Sequence, residues 1–420
     1  MRTPMFYDKT MLDDGLTVLS ETIEPVRSVA IGIWFAVGSR DEGPEDAGMS
    51  HFLEHMMFKG TPTRSAAQIS ETFDRLGAEL NAFTSKEYTC YYARVLDEHV
   101  DTAIEVLADM AGRSLLADEA CTSEREVVLE EIARLEDTPD DRIHELFATT
   151  MWPSHPLGLP VLGRRETVGG FGNTASAAYR TKHYSTGNTV IAAAGHLAHD
   201  DIVALVRQHL SLPEAPRSER APVHAADEPS LAVLEKDTEQ THICYGVPGL
   251  YAGHEDRFVL SVLDTILGGG MSSRLFQEIR EKRGLAYAVY SYHALYEDTG
   301  QFAVYAGTRP GNAEQVVRII QNEIAKVLDS GVTADELDRA RESIKGHLVL
   351  GLESTRNRMT RLGKAEVTHG EILSMDELVE RVEAVSLEDV TRVARELFGH
   401  GRVLTLIGPH GTDDVSHLLG

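Results

Sequence analysis

The chain has 420 residues and a formal net charge of −26, with 42% hydrophobic and 25% charged residues. This length and composition predict a globular protein of two or more domains. The acidic surplus argues against nucleic acids and anionic membranes as partners, and it favours basic peptides among charged ligands, although a solvated acidic surface is its commonest cause.

Two features of the chain bear on its location. Residues 1–10 contain no cationic region followed by an apolar run, and no apolar stretch approaches the ~18 residues of a membrane span. The three cysteines, Cys90, Cys121 and Cys244, are odd in number and far apart, which is typical of a reducing compartment. We therefore predict a cytoplasmic protein with neither a signal peptide nor a membrane segment.

The first half of the chain alternates strand patterns with amphipathic helices. In chain order, the patterns predict a strand over 29–37, a helix around residue 51, a helix over 65–76, a hairpin over 79–95, a helix over 97–110, a helix over 124–135, a strand over 190–194 and a helix over 200–210. A segment with four prolines, 213–229, reads as an interdomain linker.

The second half repeats this plan. It predicts, in order, a strand over 240–247, helices over 256–267 and 273–282, a hairpin over 286–307, a helix over 311–328, a long helix from 334, a helix over 387–397 and a strand over 403–407. We therefore predict an α+β protein with two homologous domains, 1–212 and 230–420. Each would hold a mostly antiparallel sheet covered by helices.

The stretch from His51 to His55 carries the clearest chemistry. It reads His-x-x-Glu-His, so two imidazoles and the carboxylate of Glu54 share one face of a helix. The opposite face is apolar, with Met49, Phe52, Leu53, Met56 and Met57. This order is the inverzincin signature, in which two histidines hold zinc and a non-ligating glutamate takes a proton from water. The alternative is a solvated helix face that carries two histidines by coincidence.

A catalytic zinc needs a third protein ligand, and the helix over 124–135 offers candidates. On the helical wheel, Glu124 and Glu131 lie within an apolar stripe to which Val127 belongs. Glu126 and Glu130 point away from this stripe. Buried carboxylates are costly unless they are paired or bound to metal. The alternative is a boundary glutamate that reaches solvent or pairs with a cation, and the wheel alone does not decide between them.

These residues resemble a known family. The segment from Gly48 to Thr61, GMSHFLEHMMFKGT, resembles the metal motif of the pitrilysin and insulin-degrading-enzyme peptidases, and most of all the mitochondrial processing peptidase β-subunit and its bacterial relatives. The resemblance covers nearly the whole chain. In this family the third metal ligand is a glutamate that lies 70 to 80 residues after the second histidine. Another glutamate precedes that ligand by seven positions. The resemblance therefore implies Glu131 as a ligand and Glu124 behind it as a residue that orients one, most simply His55.

The resemblance implies further site residues. Asn81, Ala82 and Phe83 would lie on an edge strand that receives the peptide. Arg280 and Tyr287 match the family's Arg-x₆-Tyr element, which reaches the substrate and the scissile carbonyl from another domain. Tyr287 would then donate to the oxyanion, and Arg280 would hold the substrate or assist polarisation.

The run from Gly268 to Gly270 departs from the mitochondrial pattern, where the long glycine-rich loop belongs to the non-catalytic α-subunit. Its presence here beside a complete metal motif implies a homodimer that encloses a chamber, unless these glycines simply turn one helix into the next. The segment 258–270, which corresponds to the helix around residue 51, contains no histidine and only Asp264 as an acid, so we assign the chemistry to the first half.

The sequence thus predicts a zinc endopeptidase with one Zn²⁺ per chain, bound by His51, His55 and Glu131, and with Glu54 as the general base. Its substrates would be unfolded or short peptides. The competing hypothesis is a non-catalytic structural subunit of the same fold, like the core subunits of the respiratory ubiquinol–cytochrome c reductase. An inactive partner in a heteromer is a third possibility. The complete ligand set favours the enzyme over both.

Overall fold

The computed structural model describes residues 6–223 and 228–419, and these form two units. Unit 1 is drawn from Met1–Ala133, Leu159–Ala221 and Gly351–Ile372, and unit 2 from Arg134–Gly158, Pro222–Leu350 and Leu373–Gly420. Residues 1–5, on which the predicted absence of a signal peptide partly rests, lie outside the described residues, as do residues 224–227 of the predicted linker.

Eleven strands occur in the described residues. They are β1 (Asp8–Met11), β2 (Thr17–Thr22), β3 (Ser28–Phe35), β4 (Glu79–Thr84), β5 (Thr89–Leu96), β6 (Thr189–Gly195), β7 (Ser230–Glu235), β8 (Thr241–Gly249), β9 (Ala286–Leu295), β10 (Gly300–Thr308) and β11 (Val403–Gly408).

The α-helices of the described residues, in chain order, are α1 (Met49–Met57), α2 (Ala66–Leu76), α3 (Val100–Arg113), α4 (Asp118–Asp137), α5 (Pro139–Met151), α6 (Arg165–Val168), α7 (Asn173–His183), α8 (His199–His209), α9 (Arg257–Leu267), α10 (Ala313–Ser330), α11 (Ala334–Gly351), α12 (Thr355–Thr368), α13 (Met375–Glu383), α14 (Leu387–Phe398) and α15 (Thr412–Val415). The predicted helix over 273–282 contains instead a π-helical segment, Phe276–Glu281.

The sheet of unit 1 has the strand order β1-β2-β6-β3-β5-β4. Only the β2–β6 pair is parallel, because a crossover separates these strands along the chain; the other pairs are antiparallel. Strands β3 and β6 are central and almost wholly buried, as their apolar sequences require. Strand β4 pairs only with β5, so it forms one edge of the described sheet.

The sheet of unit 2 follows the same plan with the order β7-β11-β8-β10-β9. Its single parallel pair, β7–β11, corresponds to β2–β6, and the hairpin β9–β10 corresponds to β4–β5. The prediction of an α+β fold with two similar, mostly antiparallel sheets is therefore confirmed.

Each half of the chain places one helix in the unit of the other half. Helix α5 belongs to unit 2, where Phe147 packs in one apolar cluster with residues of β8 and β10. Helix α12 belongs to unit 1, where Met359 and Leu362 pack in one cluster with Trp34 of β3. A Cβ at Gly363 would lie 2.3 Å from the Trp34 ring, so only glycine permits this approach. The predicted division into 1–212 and 230–420 misses this exchange.

The predicted linker is not a free spacer over its first nine residues. Backbone carbonyls at 213 and 215 accept amide hydrogen bonds from the loop before β6. The Arg220 guanidinium donates to Asp41 at 2.8 Å and to backbone carbonyls at 36 and 87. Residues 213–221 are therefore an integral part of unit 1, in agreement with the point at which the units divide.

Two other predictions can be compared with the structure. Cys90, Cys121 and Cys244 are all buried, and none forms a disulfide. Among the described residues, every helix is too short or too polar to cross a membrane.

Candidate metal centre

Helix α1 presents the predicted metal residues because its apolar face is fixed in the core. Met49, Phe52, Leu53, Met56 and Met57 are fully buried, whereas the polar residues on the other face are partly exposed. The wheel drawn from the sequence is therefore correct for this helix. The buried face leaves the orientation of the polar face little freedom.

The N-terminus of α1 is anchored by a residue that the sequence analysis missed. The Glu42 carboxylate accepts hydrogen bonds from the backbone amides of Gly48 at 2.6 Å and Ser50 at 2.7 Å. These amides have no acceptor within the helix, and a carboxylate at a helix N-terminus also interacts favourably with the positive end of the helix dipole. Burial raises the pKa of Glu42 to about 7, against the lowering effect of these bonds.

Gly48 is required at this helix start. Its φ of 97° lies in the left-handed region, and a Cβ there would lie 2.7 Å from the carbonyl oxygen of Leu162. Any other residue would strain the turn and displace the helix that carries the two histidines.

Three side chains bring donor atoms together. Oε2 of Glu131 lies 3.5 Å from Nε2 of His51 and 3.7 Å from Nε2 of His55. All three residues place a ligand atom within 4.8 Å of the others, and they form the single such cluster of three among the described residues. Donors at about 2.1 Å from a tetrahedral zinc are about 3.4 Å apart, so these spacings fit a zinc ion.

His51 has the properties of a neutral ligand. Burial, with a smaller effect from neighbouring His55, lowers the pKa of His51 to about 3, and only the unprotonated imidazole can bind a metal. The two rings meet edge to face with their centroids 4.6 Å apart. Nδ1 of His51 is buried and makes no hydrogen bond within the described residues.

Glu124 and Lys59 form a polar chain behind His55. Oε1 of Glu124 lies 3.0 Å from Nδ1 of His55, and its Oε2 lies 2.5 Å from Nζ of Lys59. Glu124 is buried, so the Lys59 charge compensates a carboxylate that would otherwise be costly to bury. Lys59 was not among the residues predicted from the sequence, because its partner lies on another helix.

The wheel of α4 was only partly correct. Glu124 is buried as predicted, and Glu126 and Glu130 are exposed. Val127, however, is 43% exposed rather than part of a buried stripe, and the Glu131 side chain is 40% exposed. Glu131 is therefore distinguished by its distance from the two histidines and not by its burial. An exposed rim of the donor set is where a substrate could approach.

Glu54 lies on the same helix face but outside the donor cluster. Its Oε2 accepts a hydrogen bond from Oγ1 of Thr84 at 2.5 Å. Burial raises the pKa of Glu54, while the Thr84 bond and nearby His55 act in the opposite direction. Thr84 lies within the hairpin predicted over 79–95, but no role was predicted for it.

The residues predicted to receive a peptide lie on the free edge strand. Asn81 is exposed, and its Oδ1 accepts the backbone N–H of Ala82 at 2.8 Å. The Phe83 ring packs edge to face on Trp34 with the centroids 5.5 Å apart. The side chain of Phe83 therefore packs within unit 1.

Arg280 and Tyr287 are brought together within unit 2. The Arg280 guanidinium lies 4.5 Å from the centre of the Tyr287 ring, and its Nη1 donates to the backbone carbonyl of Tyr287 at 2.9 Å. Tyr287 is 78% exposed, so its hydroxyl is open to a ligand. Arg280 lies on the π-helical segment, a feature that is frequent at functional sites.

The glycine-rich run packs closely against the edge of the second sheet. A Cβ at Gly268 would lie 2.2 Å from the backbone nitrogen of Ser291 on β9. In α9, Asp264 accepts hydrogen bonds from Ser291 and from Nδ1 of His293, so its carboxylate is already engaged.

Comparison with known proteins identifies the family. Residues 17–165 match the profile of insulinase (peptidase family M16), and residues 174–344 match that of the peptidase M16 inactive domain. A Streptomyces coelicolor protein named as an uncharacterized zinc protease is 46% identical, over 98% of this chain and 91% of its own. The chain belongs to peptidase family M16. The uncharacterized zinc protease YmxG of Bacillus subtilis is 44% identical, over 95% of this chain and 97% of its own.

The M16 fold is also shared with solved structures. A crystal structure of a protease from Helicobacter pylori superposes with a TM-score of 0.91 at 24% identity, and the match covers 96% of this chain and 99% of that one. At this identity the likeness concerns the fold alone. The predicted resemblance to this family is confirmed. The predicted metal ligands fall in the insulinase match, outside the match to the inactive domain.

Proposed function

We propose that this chain is a zinc-dependent endopeptidase that hydrolyses peptide bonds of unfolded or short polypeptides. The observation that carries the proposal is the donor set of His51, His55 and Glu131, with Glu54 on the same helix face but outside that set. The family and the names of the relatives support a zinc peptidase in general. The residue roles below are our proposal.

One zinc per chain in this donor set would supply the Lewis acidity that makes water nucleophilic near neutral pH. Glu54 accepts the proton of the attacking water and delivers it to the leaving amine. Its burial supports this role, because a raised pKa makes its carboxylate a stronger base than an exposed glutamate.

Glu124 fixes the orientation of His55. Because Glu124 accepts the proton on Nδ1, Nε2 of His55 is left with a free electron pair directed at the donor cluster. The Lys59 ammonium contacts the other carboxylate oxygen of Glu124 and holds this carboxylate in place.

The peptide adds to the free edge of β4 at Asn81, Ala82 and Phe83. Pairing of this kind recognises the peptide backbone, which suits substrates without a fixed fold. The charge of −26 adds a preference for basic peptides.

Tyr287 donates its hydroxyl to the oxyanion, and Arg280, stacked on the Tyr287 ring, holds it in place and faces the substrate backbone. We propose that two chains form a homodimer around a chamber and that this pair acts on the metal centre of the other chain. Mixing inactive Glu54→Gln chains with inactive Tyr287→Phe chains tests this arrangement. Mixed dimers should regain partial activity, and inactive mixed dimers would exclude a shared site.

A cytoplasmic location stays a prediction from the sequence.

Two measurements on the purified protein test the function. Zinc per chain is determined by elemental analysis, and hydrolysis is followed with internally quenched fluorescent peptides of neutral and basic composition. We expect one zinc per chain and cleavage within the peptides. A protein that binds zinc but cleaves none of them would be the non-catalytic scaffold, and a protein without zinc would refute the metal centre.

A further inference from the structure

Thr84 connects two parts of the proposed site. It is the last residue of β4, and its hydroxyl donates to Oε2 of Glu54 at 2.5 Å. Both side chains are partly buried. A charge-assisted hydrogen bond of this length, shielded from solvent, restricts the rotation of the carboxylate.

The backbone of Thr84 faces the free edge of the sheet. In the hairpin, the amide of Ser85 donates to the carbonyl of Tyr88 at 2.8 Å, so these two residues form a hydrogen-bonded pair. Since such pairs alternate along antiparallel strands, the next pair, Thr84 with Thr89, is a non-hydrogen-bonded one. The backbone groups of Thr84 therefore point away from β5.

The amide of Ala82 supports the same assignment. It is bonded to the side chain of Asn81 rather than to β5, and residues two positions apart on a strand share their orientation. Ala82 and Thr84 therefore present their backbone groups to the same edge. A peptide that adds to β4 would pair with these residues.

The turn after Thr84 is held firmly. The carbonyls of Ser85 and Lys86 accept the amides of Ser39 at 3.2 Å and Arg40 at 2.7 Å. The Arg40 guanidinium lies 2.6 Å from the carboxylate of Glu87, and both side chains are almost fully buried. Thr84 therefore offers its hydroxyl from a rigid support and not from a mobile loop.

We infer that Thr84 is a positioning residue with two contacts. Its hydroxyl fixes the Glu54 carboxylate, and its backbone pairs with the bound peptide, so the carboxylate is held at a set distance from that peptide. This inference rests on the proposed peptidase function. One residue thus sets the distance between the bound peptide and the group that handles the proton. Such control matters because an error of about 1 Å in a reacting geometry can cost about 100-fold in rate.

The test compares Thr84→Val, Thr84→Ser and the control Thr89→Val in the full-length, zinc-loaded protein. Thr89 is the cross-strand neighbour, and its hydroxyl donates to the carbonyl of Val37, so the control removes a hydroxyl bond of the same hairpin that does not reach Glu54. Zinc content and thermal midpoint are measured for each variant, and kcat and KM are measured on one quenched fluorescent peptide.

We expect kcat of Thr84→Val to fall by about 10- to 100-fold with KM within about threefold, and Thr84→Ser to recover most of the loss. Zinc content and the thermal midpoint should stay near those of Thr89→Val. In a Glu54→Gln background, Thr84→Val should cause little further loss, because the hydroxyl acts through Glu54.

Other outcomes overturn the inference. If kcat of Thr84→Val matches that of Thr89→Val, or if Thr84→Ser is as impaired as Thr84→Val, the hydroxyl has no positioning role. A rise in KM alone would make Thr84 a binding residue only. If the zinc-loaded wild type cleaves no peptide, the proposed function itself fails and the inference with it, a result distinct from an active wild type that tolerates Thr84→Val.

Discussion

The ammonium group of Lys59 lies 2.5 Å from a carboxylate oxygen of Glu124. Because the other oxygen of Glu124 contacts Nδ1 of His55, Lys59 contacts the carboxylate that, in our proposal, orients His55 as a metal ligand. We expect Lys59→Met to weaken zinc affinity by about 10-fold or more, as is typical when a partner of a ligating histidine is disturbed.

Competition with a chromogenic chelator measures this affinity. Lys59→Arg keeps the charge and should bind zinc nearly as the wild type does. Equal affinities of Lys59→Met and wild type would show that Glu124 orients His55 without help.

Glu131 should be necessary for zinc binding, because it supplies the only carboxylate of the donor cluster among the described residues. Glu131→Ala is expected to reduce zinc to well below one per chain in elemental analysis after dialysis. Glu130→Ala is the matched control, since this neighbour on α4 is exposed and points away. Full zinc content in Glu131→Ala would remove Glu131 from the ligand set.

Glu54→Gln should separate metal binding from proton transfer. The amide keeps the size of the side chain and can still accept the hydroxyl bond of Thr84, but it cannot take up the proton. We expect zinc content to be unchanged and kcat to fall by about 100-fold or more. Near wild-type turnover in this variant would exclude Glu54 as the general base.

The ion pair of Arg274 and Glu336 should stabilise unit 2 at neutral pH, and this stabilisation should be lost in acid. The guanidinium donates to both carboxylate oxygens at 2.7 and 2.8 Å. Burial alone would raise the pKa of Glu336, but the bonds from Arg274 and Thr333 outweigh it and hold the pKa at about 2. Since the folded pKa lies below the ordinary 4.5, the stabilisation is present above pH 4.5 and is lost as the pH falls towards 2.

Arg274→Met should therefore lower the free energy of unfolding at pH 7 by about 1.5–3 kcal/mol. The difference in stability between Arg274→Met and wild type should shrink as the pH falls from 4.5 to 2, and thermal midpoints measure this difference. Arg318→Met, which removes an exposed pair with Glu314, should change the stability much less than Arg274→Met does. A difference independent of pH would mean that Arg274 acts through packing alone.

The sequence is informative where the site depends on spacing within one element. His51, Glu54 and His55 share a helix face, so periodicity alone brings them together. Glu131 needed the family spacing as well, because its own helix wheel wrongly predicted burial.

The residues that the sequence did not reveal act across elements. Lys59 contacts Glu124 over 65 positions, and Thr84 contacts Glu54 over 30. A lysine or a threonine in such places is indistinguishable from an ordinary surface or strand residue until the fold brings it to its partner.

The exchange of α5 and α12 was missed for a similar reason. An amphipathic pattern indicates that a helix covers an apolar surface, but it does not indicate which sheet provides that surface. The duplicated succession of strands and helices was predictable, because alternating and amphipathic patterns are local. The strand order was not, since β6 lies between β2 and β3 although it follows β5 along the chain.

This exchange also affects how the protein is made. While the ribosome adds residues in order, the face of the first sheet around Trp34 stays uncovered until the segment 355–368 has emerged, long after its strands are complete. A fragment that ends near residue 212 would leave that apolar face open to solvent and would aggregate instead of yielding a separate metal-binding domain. The proposed zinc centre, although all three of its donor residues lie within the first 131 residues, would therefore depend on translation of nearly the whole chain.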